Sequence, residues 1–370
     1  MEYIKLSEVC DVRDGTHDSP KYVEEGYPLV TSKNIVDGEL DLSVVNYICQ
    51  EDYDKINIRS KVDVGDIIMP MIGTIGNPYV VKGSCDFAIK NVALIKFPNE
   101  NINNKFVWYF LISPAFGRYI AEKNKGGTQK FISLRDIRNI LIPEITIDEQ
   151  NEIVKKLDTV YSIIEYRKNE ISMLDELIKA RFVELFGSIS NNKFGYEVMT
   201  LQDVCEPIKD GTHQTPTYTE DTINGYKFLS SKDVTSGRVD WNHLKYIPEE
   251  LHNELYKRIS PSKGDILLAK NGTTGVAAIV DRDEVFDIYV SLALLRPLGM
   301  VTSEYLCAAV NSIETKHQFD SSLKGIGVPN LHLGEIKKTK IVVPPIEAQE
   351  KFADFVKQVD KSKVVALKAA

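Results

Sequence analysis

The stretch Asp-Gly-Thr-His occurs twice in the sequence, at residues 14–17 and 210–213. An aspartate and a histidine so close together are residue types that bind metal ions and exchange protons, so Asp14 and His17 would supply half of a metal site or an acid–base pair. No third ligand or nucleophile stands nearby in the sequence. Asp and Thr beside Gly, with Pro following, also make the side-chain-to-backbone hydrogen bonds of a tight turn. We favour the turn, as a structural signature of a domain.

The surroundings of this stretch repeat as well, which decides how the chain is organised. The clearest matches are "GYPLVTSKNIVDG" (26–38) with "GYKFLSSKDVTSG" (225–237), "VGDIIMPMIGTIG" (64–76) with "KGDILLAKNGTTG" (263–275), and "NILIPEITIDEQNEIVKKLD" (139–158) with "KIVVPPIEAQEKFADFV" (340–356). The last match places Gln150 on Gln349. The register holds over most of each half with few insertions, so the chain consists of two copies of one domain, each followed by a helical segment.

Each copy contains short, mixed secondary-structure elements. The G-D-I runs predict strands, and the G-T-x-G stretches that follow them predict tight turns. Residues 100–123 and 301–319 have helical spacing. We therefore predict an α+β fold with a twisted, partly antiparallel sheet in each of two similar domains, at residues 1–145 and 188–345.

A long helix is predicted between the copies. Residues 148–186 contain neither Gly nor Pro, and branched apolar residues recur there at every seventh position: Leu157, Ile164, Ile171, Ile178 and Leu185. This is the pattern of a helix that packs lengthwise on another helix. We predict a central spacer helix at 146–187, ended by Gly187, and a shorter C-terminal helix at 346–370. Two such antiparallel coiled-coil helices between similar domains would give the molecule pseudo-twofold symmetry.

The composition is that of a soluble globular protein, with 43% hydrophobic and 26% charged residues. No apolar run approaches the roughly 18 residues that a membrane span needs, and the N-terminus lacks the apolar core of a signal peptide. The five cysteines are scattered without metal-binding spacing. We expect reduced, mostly buried thiols in a cytoplasmic protein. The net charge of −8 argues mildly against a chain coated in nucleic acid, but it does not exclude a local basic surface.

Motifs for catalysis are missing from the sequence. We find no G-x-x-x-x-G-K-[ST] loop, no adenine-methyltransferase (N/D)-P-P-(Y/F) tetrapeptide and no glycine-rich cofactor loop. "DFAIK" (86–90) resembles a nuclease carboxylate–lysine run, but the second copy has "FDIYV" (286–290) without a lysine. The sequence therefore predicts a non-catalytic protein without a metal site.

The combination of motifs resembles one known family. An L-x-x-V start, D-G-T-H-x-x-P, a G-D-I strand, a G-T-x-G turn and I-P or V-P-P before a long helix occur in this order twice. Each motif is weak alone, but the duplicated order is similar to the specificity subunits of type I restriction–modification systems, over essentially the whole chain.

This resemblance implies a function and a set of partners. The two domains would be target-recognition domains, each reading one half of a bipartite site in double-stranded DNA. The helices would set the spacer and dock two methyltransferase subunits, and restriction subunits would join the complex. S-adenosylmethionine would then bind the methyltransferase subunit, and this chain would hold no cofactor. The short C-terminal helix departs from the family pattern.

Two basic stretches lie at equivalent places and suit phosphate contacts. Residues 117–140 carry six basic side chains against two acidic ones, and residues 314–340 carry five lysines against three acidic residues. The phosphate-contact candidates are Lys123, Lys125, Lys130, Lys316 and Lys324, together with Lys33 and Lys232 in the T/S-S-K-N/D stretches. The alternative is that each stretch is only a solvated helix end and loop.

The G-T-x-G turns and their neighbours are the candidates for closer contact with DNA. Glycines would let the backbone of Gly73–Thr74 and of Thr273 approach the duplex, although these turns would equally serve only to reverse the chain. Base reading should lie where the copies differ. Lys270 and Asn271, which replace Met71 and Ile72 of the first copy, are therefore candidate base readers. For Trp241, we favour packing inside the domain over stacking on bases.

A competing hypothesis comes from a different functional class. The chain would be a non-catalytic coiled-coil scaffold or regulator whose duplicated domains bind protein. Steep salt dependence of binding and an asymmetric, bipartite preferred DNA sequence would distinguish a DNA reader from such a scaffold.

Overall fold

A computed structural model describes residues 2–73, 75–123, 131–323 and 329–368 of the chain. The chain divides into two compact units, Met1–Ile164 (unit 1) and Glu165–Ala370 (unit 2). Each unit combines helices with small sheets whose described strands are antiparallel except for one parallel pair, Tyr27–Val30 with Ala88–Ile89 in unit 1 and Tyr226–Leu229 with Phe286–Ile288 in unit 2. The predicted mixed fold with two similar domains is confirmed.

Unit 1 is built around a four-stranded antiparallel sheet in the order β2-β11-β8-β9 and a second sheet in the order β10-β4-β7-β3. Its strands are β1 (Tyr3–Lys5), β2 (Asp11–Asp14), β3 (Tyr22–Val23), β4 (Tyr27–Val30), β5 (Ile35–Val36), β6 (Glu39–Leu40), β7 (Asn46–Ile48), β8 (Ile67–Pro70), β9 (Tyr79–Val80), β10 (Ala88–Ile89), β11 (Val92–Lys96) and β12 (Leu141–Pro143). Its helices are α1 (Leu6–Val9), α2 (Gln50–Ser60), α3 (Asn104–Leu111), α4 (Pro114–Lys123) and α5 (Leu134–Arg138), followed by the start of α6 (Ile147–Phe186).

Unit 2 repeats this architecture, with sheets in the orders β14-β20-β17-β18 and β16-β15-β19. Its strands are β13 (Glu197–Thr200), β14 (Lys209–Asp210), β15 (Tyr226–Leu229), β16 (Lys245–Ile247), β17 (Ile266–Ala269), β18 (Ala277–Ile279), β19 (Phe286–Ile288), β20 (Leu292–Leu295) and β21 (Lys340–Val343). Its helices are α7 (Leu201–Val204), α8 (Glu249–Arg258), α9 (Ser303–Val310), α10 (Ile313–Ser322), α11 (Leu333–Lys338) and α12 (Ile346–Lys368), together with the end of α6.

The G-D-I strand of each unit is buried on both faces, which explains its continuous apolar sequence. In β8, Ile67 and Met69 join the core beneath helices α3 and α4, whereas Ile68 joins the core on the other face of the sheet. Alternate side chains of a strand point to opposite faces, so two cores hold this strand in place. The loop that follows β8 is thereby fixed in position.

The two segments with helical spacing do not form single helices. Residues 100–123 break between α3 and α4, because Pro114 lacks an N–H group and disfavours helical backbone in the residue before it. In 301–319 the break falls between α9 and α10, where the Ser312 hydroxyl accepts a hydrogen bond from the backbone N–H of Thr315. Ser312 thus caps the N-terminus of α10, so that α9 ends and a new helix begins.

A buried glutamine joins the first turn of each long helix to its own unit. The side-chain oxygen of Gln150 accepts from the backbone N–H of Asn103, and its amide donates to the carbonyls of Asn101 and Ile145. Gln349 makes the same three contacts at the start of α12, with the N–H of Thr302 and the carbonyls of Met300 and Pro344. The repeated glutamine therefore fixes the direction in which each helix leaves its domain.

Helix α6 spans 40 residues and ends at Gly187, whose positive φ of 69° terminates the helix. Within unit 2 its second half packs against α12. The rings of Phe182 and Phe352 lie 5.6 Å apart, and Lys363 lies 2.5 Å from Asp175. Moving back along α6 thus corresponds to moving forward along α12, so the two helices are antiparallel, as predicted.

The heptad positions of α6 differ in burial along the helix. Ile178 and Leu185 pack against the core of unit 2, which includes Phe352. Leu157, in unit 1, remains 37% exposed. Within unit 2, the predicted seam is therefore formed in the second half of α6.

All five cysteines are free thiols, and Cys10, Cys205 and Cys307 are buried. Burial raises the pKa of each of these three thiols to about 12. None of the helices in the described part of the chain is long and apolar enough to cross a membrane.

Candidate nucleic-acid interface

In each unit, several loops meet at one edge of the main sheet. In unit 1, the end of β2 (Asp14) pairs with Ala93 and the end of β8 (Pro70) pairs with Val92, so β2 and β8 end beside the start of β11. Thr16 forms a further bridge with Lys90. The D-G-T-H loop, the Lys90–Asn91 turn and the loop after β8 consequently leave the sheet together. We call this the loop edge of unit 1.

The loop edge of unit 2 is built in the same register. Asp210 pairs with Ala293, Ala269 pairs with Leu292, and Thr212 forms the bridge with Tyr289. The chain thus positions the same three loops twice, and position 90 of the first copy is matched by position 289 of the second.

The aspartate of each D-G-T-H loop is the centre of an ion cluster. Asp14 is buried and is contacted by the guanidinium group of Arg59 and by His17, whose Nε2 lies 2.8 Å from the carboxylate. In unit 2 the buried Asp210 lies 3.2 Å from Arg258 and 3.3 Å from His213. The carboxylates therefore tie the loop to the end of helix α2 or α8.

The turn interpretation of the same loop is confirmed. The hydroxyl groups of Thr16 and Thr212 accept hydrogen bonds from the backbone N–H of the residue two positions later, at 3.1 and 3.2 Å. A Cβ atom on Gly15 would stand 2.3 Å from the carbonyl oxygen of Ile89, and one on Gly211 would stand 2.0 Å from that of Ile288. The glycine is required because the loop lies directly against the neighbouring strand.

Cationic and imidazole side chains concentrate at the loop edge of unit 1. The His17 side chain is 62% exposed, and its hydrogen bonds with Asn91 and then Asp14 raise its pKa above the usual value of 6.5. Lys33 is exposed in the short 3₁₀ helix that follows β4, and Lys232 is exposed at the equivalent place in unit 2. Lys90 donates a hydrogen bond to the Ser19 hydroxyl at 2.6 Å.

These positions extend the predicted set of contacts. Lys33 and Lys232 remain predicted phosphate contacts. His17, His213 and Lys90 were not predicted from the sequence. The repeated histidine of the D-G-T-H stretch could have revealed His17 and His213 as contacts. Lys90 gave no such signal, because its counterpart in the second copy is Tyr289.

The G-T-x-G turns lie at the same edge and contact residues within the predicted basic stretches. In unit 1 the turn glycines Gly73 and Gly76 have φ values of 82° and 86°. Ile72 forms a β-bridge with Phe131, and the N–H of Ile132 donates to the carbonyl of Met71 at 2.9 Å. The turn and the chain after residue 130 are therefore neighbours.

Unit 2 shows the same arrangement between Asn271 and Asn330, with Gly272 donating to the carbonyl of Pro329 at 3.2 Å. Thr273 is exposed in this turn. Four of the predicted contacts, Thr74, Lys125, Lys130 and Lys324, lie outside the described residues. They stay predictions.

The two remaining lysines of the basic stretches lie on helices. Lys123 ends α4, where its ammonium group lies 3.0 Å from Asp136 and over the ring of Tyr119. Lys316 is exposed on α10. Lys123 is therefore already part of a surface ion pair, which a phosphate would have to share.

The position of Lys270 argues against its predicted role as a base reader. Its side chain is only 7% exposed, and its ammonium group lies 2.9 Å from the Asp210 carboxylate. Removing a buried lysine from its carboxylate is costly, because the charge left behind lies away from water. Lys270 therefore belongs to the ion cluster that holds the D-G-T-H loop, and the adjacent Asn271 is the residue at the edge.

Trp241 packs rather than stacking at an open surface. Its ring meets that of Phe286 edge to face at 5.4 Å, and its indole N–H donates to Asp281 at 2.8 Å. It also contacts the buried core of this part of unit 2. The packing alternative is the correct one.

The described residues contain no group of three or more His, Cys, Asp or Glu side chains that could hold a metal ion. The Asp14–His17 pair instead contacts Arg59 and Asn91, as its hydrogen bonds and ion pairs show. Its geometry is that of a loop anchor.

Comparison with known proteins agrees with this architecture. The type I restriction modification DNA specificity domain matches the chain twice, at residues 1–174 and 194–369. The MjaVIII specificity subunit of Methanocaldococcus jannaschii, a type I restriction enzyme component, is 23% identical over 290 residues, which cover 74% of this chain and 67% of the relative. The EcoBI specificity subunit of Escherichia coli is 28% identical over 169 residues, which cover 44% of this chain and 35% of the relative.

The chain is also similar to one solved structure, which concerns complex assembly and conformational transition of the type I R-M system. The superposition covers 100% of this chain and 92% of the other chain, with a TM-score of 0.51. At 18% identity this likeness supports the fold alone. The duplicated sequence motifs, the duplicated loop edge and the two domain matches lead to the same assignment. The chain belongs to the family of type I restriction–modification DNA specificity subunits, which are the non-catalytic DNA-recognition components of these systems.

Proposed function

We propose that each unit reads one half of a bipartite site in double-stranded DNA through its loop edge. The observation that carries this proposal is the duplicated convergence of the D-G-T-H loop, the G-T-x-G turn and the chain after residue 130 or 328. Polar and cationic side chains on loops fixed by a rigid sheet suit phosphate contacts, which position a protein on the duplex.

The phosphate contacts proposed here are made by exposed residues at or beside this edge. His17 and His213 are exposed on its D-G-T-H loops. Lys33 and Lys232 are exposed just after β4 and β15, whose last carbonyls accept hydrogen bonds from the N–H groups of residues 90 and 289 at the edge. A basic surface of this kind needs no positive net charge, since the field at short range depends on local groups. The chain's overall −8 is compatible with local binding of DNA.

The proposed protein partners are two methyltransferase subunits that dock on the helices, with restriction subunits joining the complex. Within unit 2, α6 and α12 leave an open groove of about 560 Å³ lined by Leu177, Ala180, Arg181, Glu184 and Phe355. Exposed apolar side chains with charged neighbours on paired helices are suited to a further helix. S-adenosylmethionine is proposed to bind the methyltransferase subunit.

An exchange of domains tests the reading of half-sites. Residues 1–145 are replaced by the equivalent domain of a relative, and the methylated sequences are mapped in cells that contain the hybrid chain and its partner subunits. We expect one half of the target to change and the other half to stay the same. A change in both halves would contradict independent reading by the two units.

Salt dependence separates this proposal from a protein-binding scaffold. Binding of the complex to its preferred DNA is measured between 50 and 200 mM salt, where a protein with several phosphate contacts loses affinity by orders of magnitude, about 10³-fold or more for six contacts. A chain that binds DNA with little sequence preference and no salt dependence would favour the scaffold. Purified chain incubated alone with DNA and S-adenosylmethionine should transfer no methyl group.

A further inference from the structure

The two units place different side chains at one equivalent pair of positions on the loop edge. In unit 1 the paired residues are Ile72 and Phe131, and in unit 2 they are Asn271 and Asn330. The backbone register around both pairs is the same, since the residue after Asn330 donates to the carbonyl of Lys270 at 2.7 Å just as the residue after Phe131 donates to that of Met71 at 2.9 Å. Equivalent backbone therefore presents an apolar pair in one unit and an amide pair in the other.

The amide oxygens of the pair in unit 2 have no internal function. Asn271 Oδ1 and Asn330 Oδ1 are both buried without a hydrogen-bond partner among the described residues. A buried, unpaired polar atom costs free energy, so native proteins rarely retain one without a reason. Two of them side by side on one β-bridge are therefore a feature that requires explanation.

Other asparagines of this fold show what a structural role looks like. The amide nitrogen of Asn34 donates to the carbonyls of Asp41 and Val44, and its oxygen accepts from Thr31. Asn311 both donates to the carbonyl of Ala277 and accepts from its N–H. These amide groups are held by the backbone on both sides. In the part of the chain that the structure describes, no comparable contact holds the oxygen of Asn271 or Asn330, so either amide group can turn that oxygen outward without breaking a bond to it.

The surface exposure of these side chains fits contact with a ligand. Phe131 is 50% exposed, which is unusual for a large apolar side chain beside a main sheet. Ile72, Asn271 and Asn330 are each partly exposed. All four follow or face the strand that both cores of their unit hold in place, so the backbone that presents them is supported by the packed sheet.

We propose that these two residue pairs are specificity-determining positions, with Asn271 and Asn330 reading a base-pair edge by hydrogen bonds in one half-site and Ile72 and Phe131 contacting a thymine methyl group in the other. The inference rests on the proposed function, because it assigns base contacts within the same edge. A side-chain amide is the group that pairs bidentately with the N6 and N7 atoms of adenine, whereas aliphatic and aromatic side chains contact the thymine methyl group.

The basic residues next to these pairs, Arg59 in unit 1 and Arg258 and Lys270 in unit 2, hold the loop edge in shape and do not read bases. Their charges contact the buried carboxylates of the D-G-T-H loops and hold the edge in shape. Reading and anchoring are thus carried by adjacent residues of one loop, Asn271 and Lys270.

Reciprocal substitutions test the proposal in the complex of the full chain with its methyltransferase subunits. Preferred sites are selected from a random-sequence DNA pool for the wild type, for Asn271→Ala/Asn330→Ala and for Ile72→Asn/Phe131→Asn. We expect the first variant to lose discrimination by about 5- to 150-fold at one or two adjacent base pairs of one half-site, as expected for loss of an amide–base contact. The second variant should alter the other half-site only.

Two controls keep a loss of folding from being read as a loss of specificity. Asn253→Ala changes an exposed asparagine on helix α8 and should leave the selected site unchanged. Thermal unfolding of each variant reports on the fold, and the alanine variant only removes side-chain atoms, so it creates no overpacking. If Ile72→Asn/Phe131→Asn does not fold, the alanine variant still decides.

The outcomes separate the inference from the proposed function. A wild-type complex that selects no sequence would overturn the proposed function itself. A wild-type complex that selects a bipartite site, together with folded variants that select the same bases with the same preference, would overturn only the assignment of these pairs. Changed bases in both half-sites for one variant would also contradict it.

Discussion

The aspartate of the D-G-T-H loop acts through partners that are distant in sequence. Asp14 meets Arg59, and Asp210 meets Arg258 and Lys270. A buried carboxylate is stable only with compensating charges and hydrogen bonds, and here these connect a loop, a helix end and a strand end. The cluster therefore decides where the loop edge lies.

Loss of Lys270 should cost less stability than loss of the Asp210 carboxylate. Lys270→Met creates the residue found at the same place in unit 1, and Asp210 keeps Arg258 and His213. We expect a small loss of stability for this variant and a loss of about 3–5 kcal/mol for Asp210→Asn, which leaves the buried lysine unpaired. Urea unfolding measures both. Equal losses would show that Asp210 depends on Lys270.

The effect of Asp210→Asn should depend on pH. Burial raises the pKa of the Asp210 carboxyl, but the hydrogen bond and charge of Lys270, followed by those of His213, outweigh it and hold the pKa below 3.8. The carboxylate thus stabilises the fold above the unfolded-state pKa, and this contribution is lost as the pH falls through the lowered value. The difference in unfolding free energy between wild type and variant should shrink below about pH 3.8.

The glycine of the D-G-T-H loop has no room for a side chain, and substitution of a glycine with free space provides the matched control. Gly15→Ala should destabilise unit 1 by about 1–3 kcal/mol, because the new methyl group overlaps the carbonyl of Ile89. Gly117 lies in helix α4 with no atom within 4 Å of a built Cβ, so Gly117→Ala should be neutral or slightly stabilising. Thermal unfolding compares the two variants. Equal effects would show that contact at Gly15 is not limiting.

These residues mark how far the sequence alone could predict the site. The repeated Asp, Gly and His identified the loop, because a repeat is visible in sequence. The burial of Lys270 was not predictable, since its carboxylate partner lies on another strand and no local pattern connects them. Phe131 and Asn330 were missed for the same reason: only the β-bridge places them beside residues 72 and 271.

At the scale of elements, the long helices depend on their attachment to each unit more than on their apolar pattern. The spacing of seven predicted α6 correctly, because helical periodicity is a local property. The spacing did not predict which apolar positions of α6 are buried by α12, because that depends on the length over which the two helices run side by side. The split of residues 100–123 into α3 and α4 was likewise missed, although Pro114 was visible in the sequence.

The glutamine at the start of α12 offers a direct test of this attachment. Gln349→Met keeps the size of the side chain but leaves the N–H of Thr302 and two carbonyls without their partner. We expect unit 2 to lose about 1–3 kcal/mol or more of stability. Gln358→Met, at an exposed position of the same helix, should have little effect. The denaturant midpoints of the two variants are compared. Similar midpoints would show that the hydrogen bonds of Gln349 do not stabilise unit 2.

Comparison of the two copies within the molecule separates anchoring from reading. Most anchoring residues are the same in both: the D-G-T-H stretch, Arg59 and Arg258, and Gln150 and Gln349. Lys270 is an exception, since Met71 stands at its place in the first copy. Edge residues differ, as in Ile72 against Asn271 and Phe131 against Asn330. A duplicated domain that must hold one shape and read two different half-sites needs this division, because a changed anchor would move the edge itself.

Helix α6 is attached to its surroundings in both its first turns and its second half. Gln150 and Asp158 fix its first turns to unit 1, the latter through Lys105 and Tyr109. Its contacts with α12 among the described residues run from Asp175 towards the C-terminus of α6. Glu165 lies between these attachments and forms an ion pair with Lys168 of the same helix. A change of helix length at this point leaves both sets of contacts intact.

Insertion of four residues after Glu165 therefore tests whether α6 is the ruler for the spacer of the DNA site. Four residues add about 6 Å and little more than one turn of helix, so the apolar positions nearly regain their facing. At about 3.4 Å per base pair this corresponds to close to 2 bp. We expect the unspecified spacer in the selected site to lengthen by one or two base pairs, with the bases read at either end unchanged. The same insertion after Asn192, in the loop beyond Gly187, should leave the spacer as it was. An unchanged spacer after insertion at Glu165, with methylation intact, would show that the helix does not set the distance.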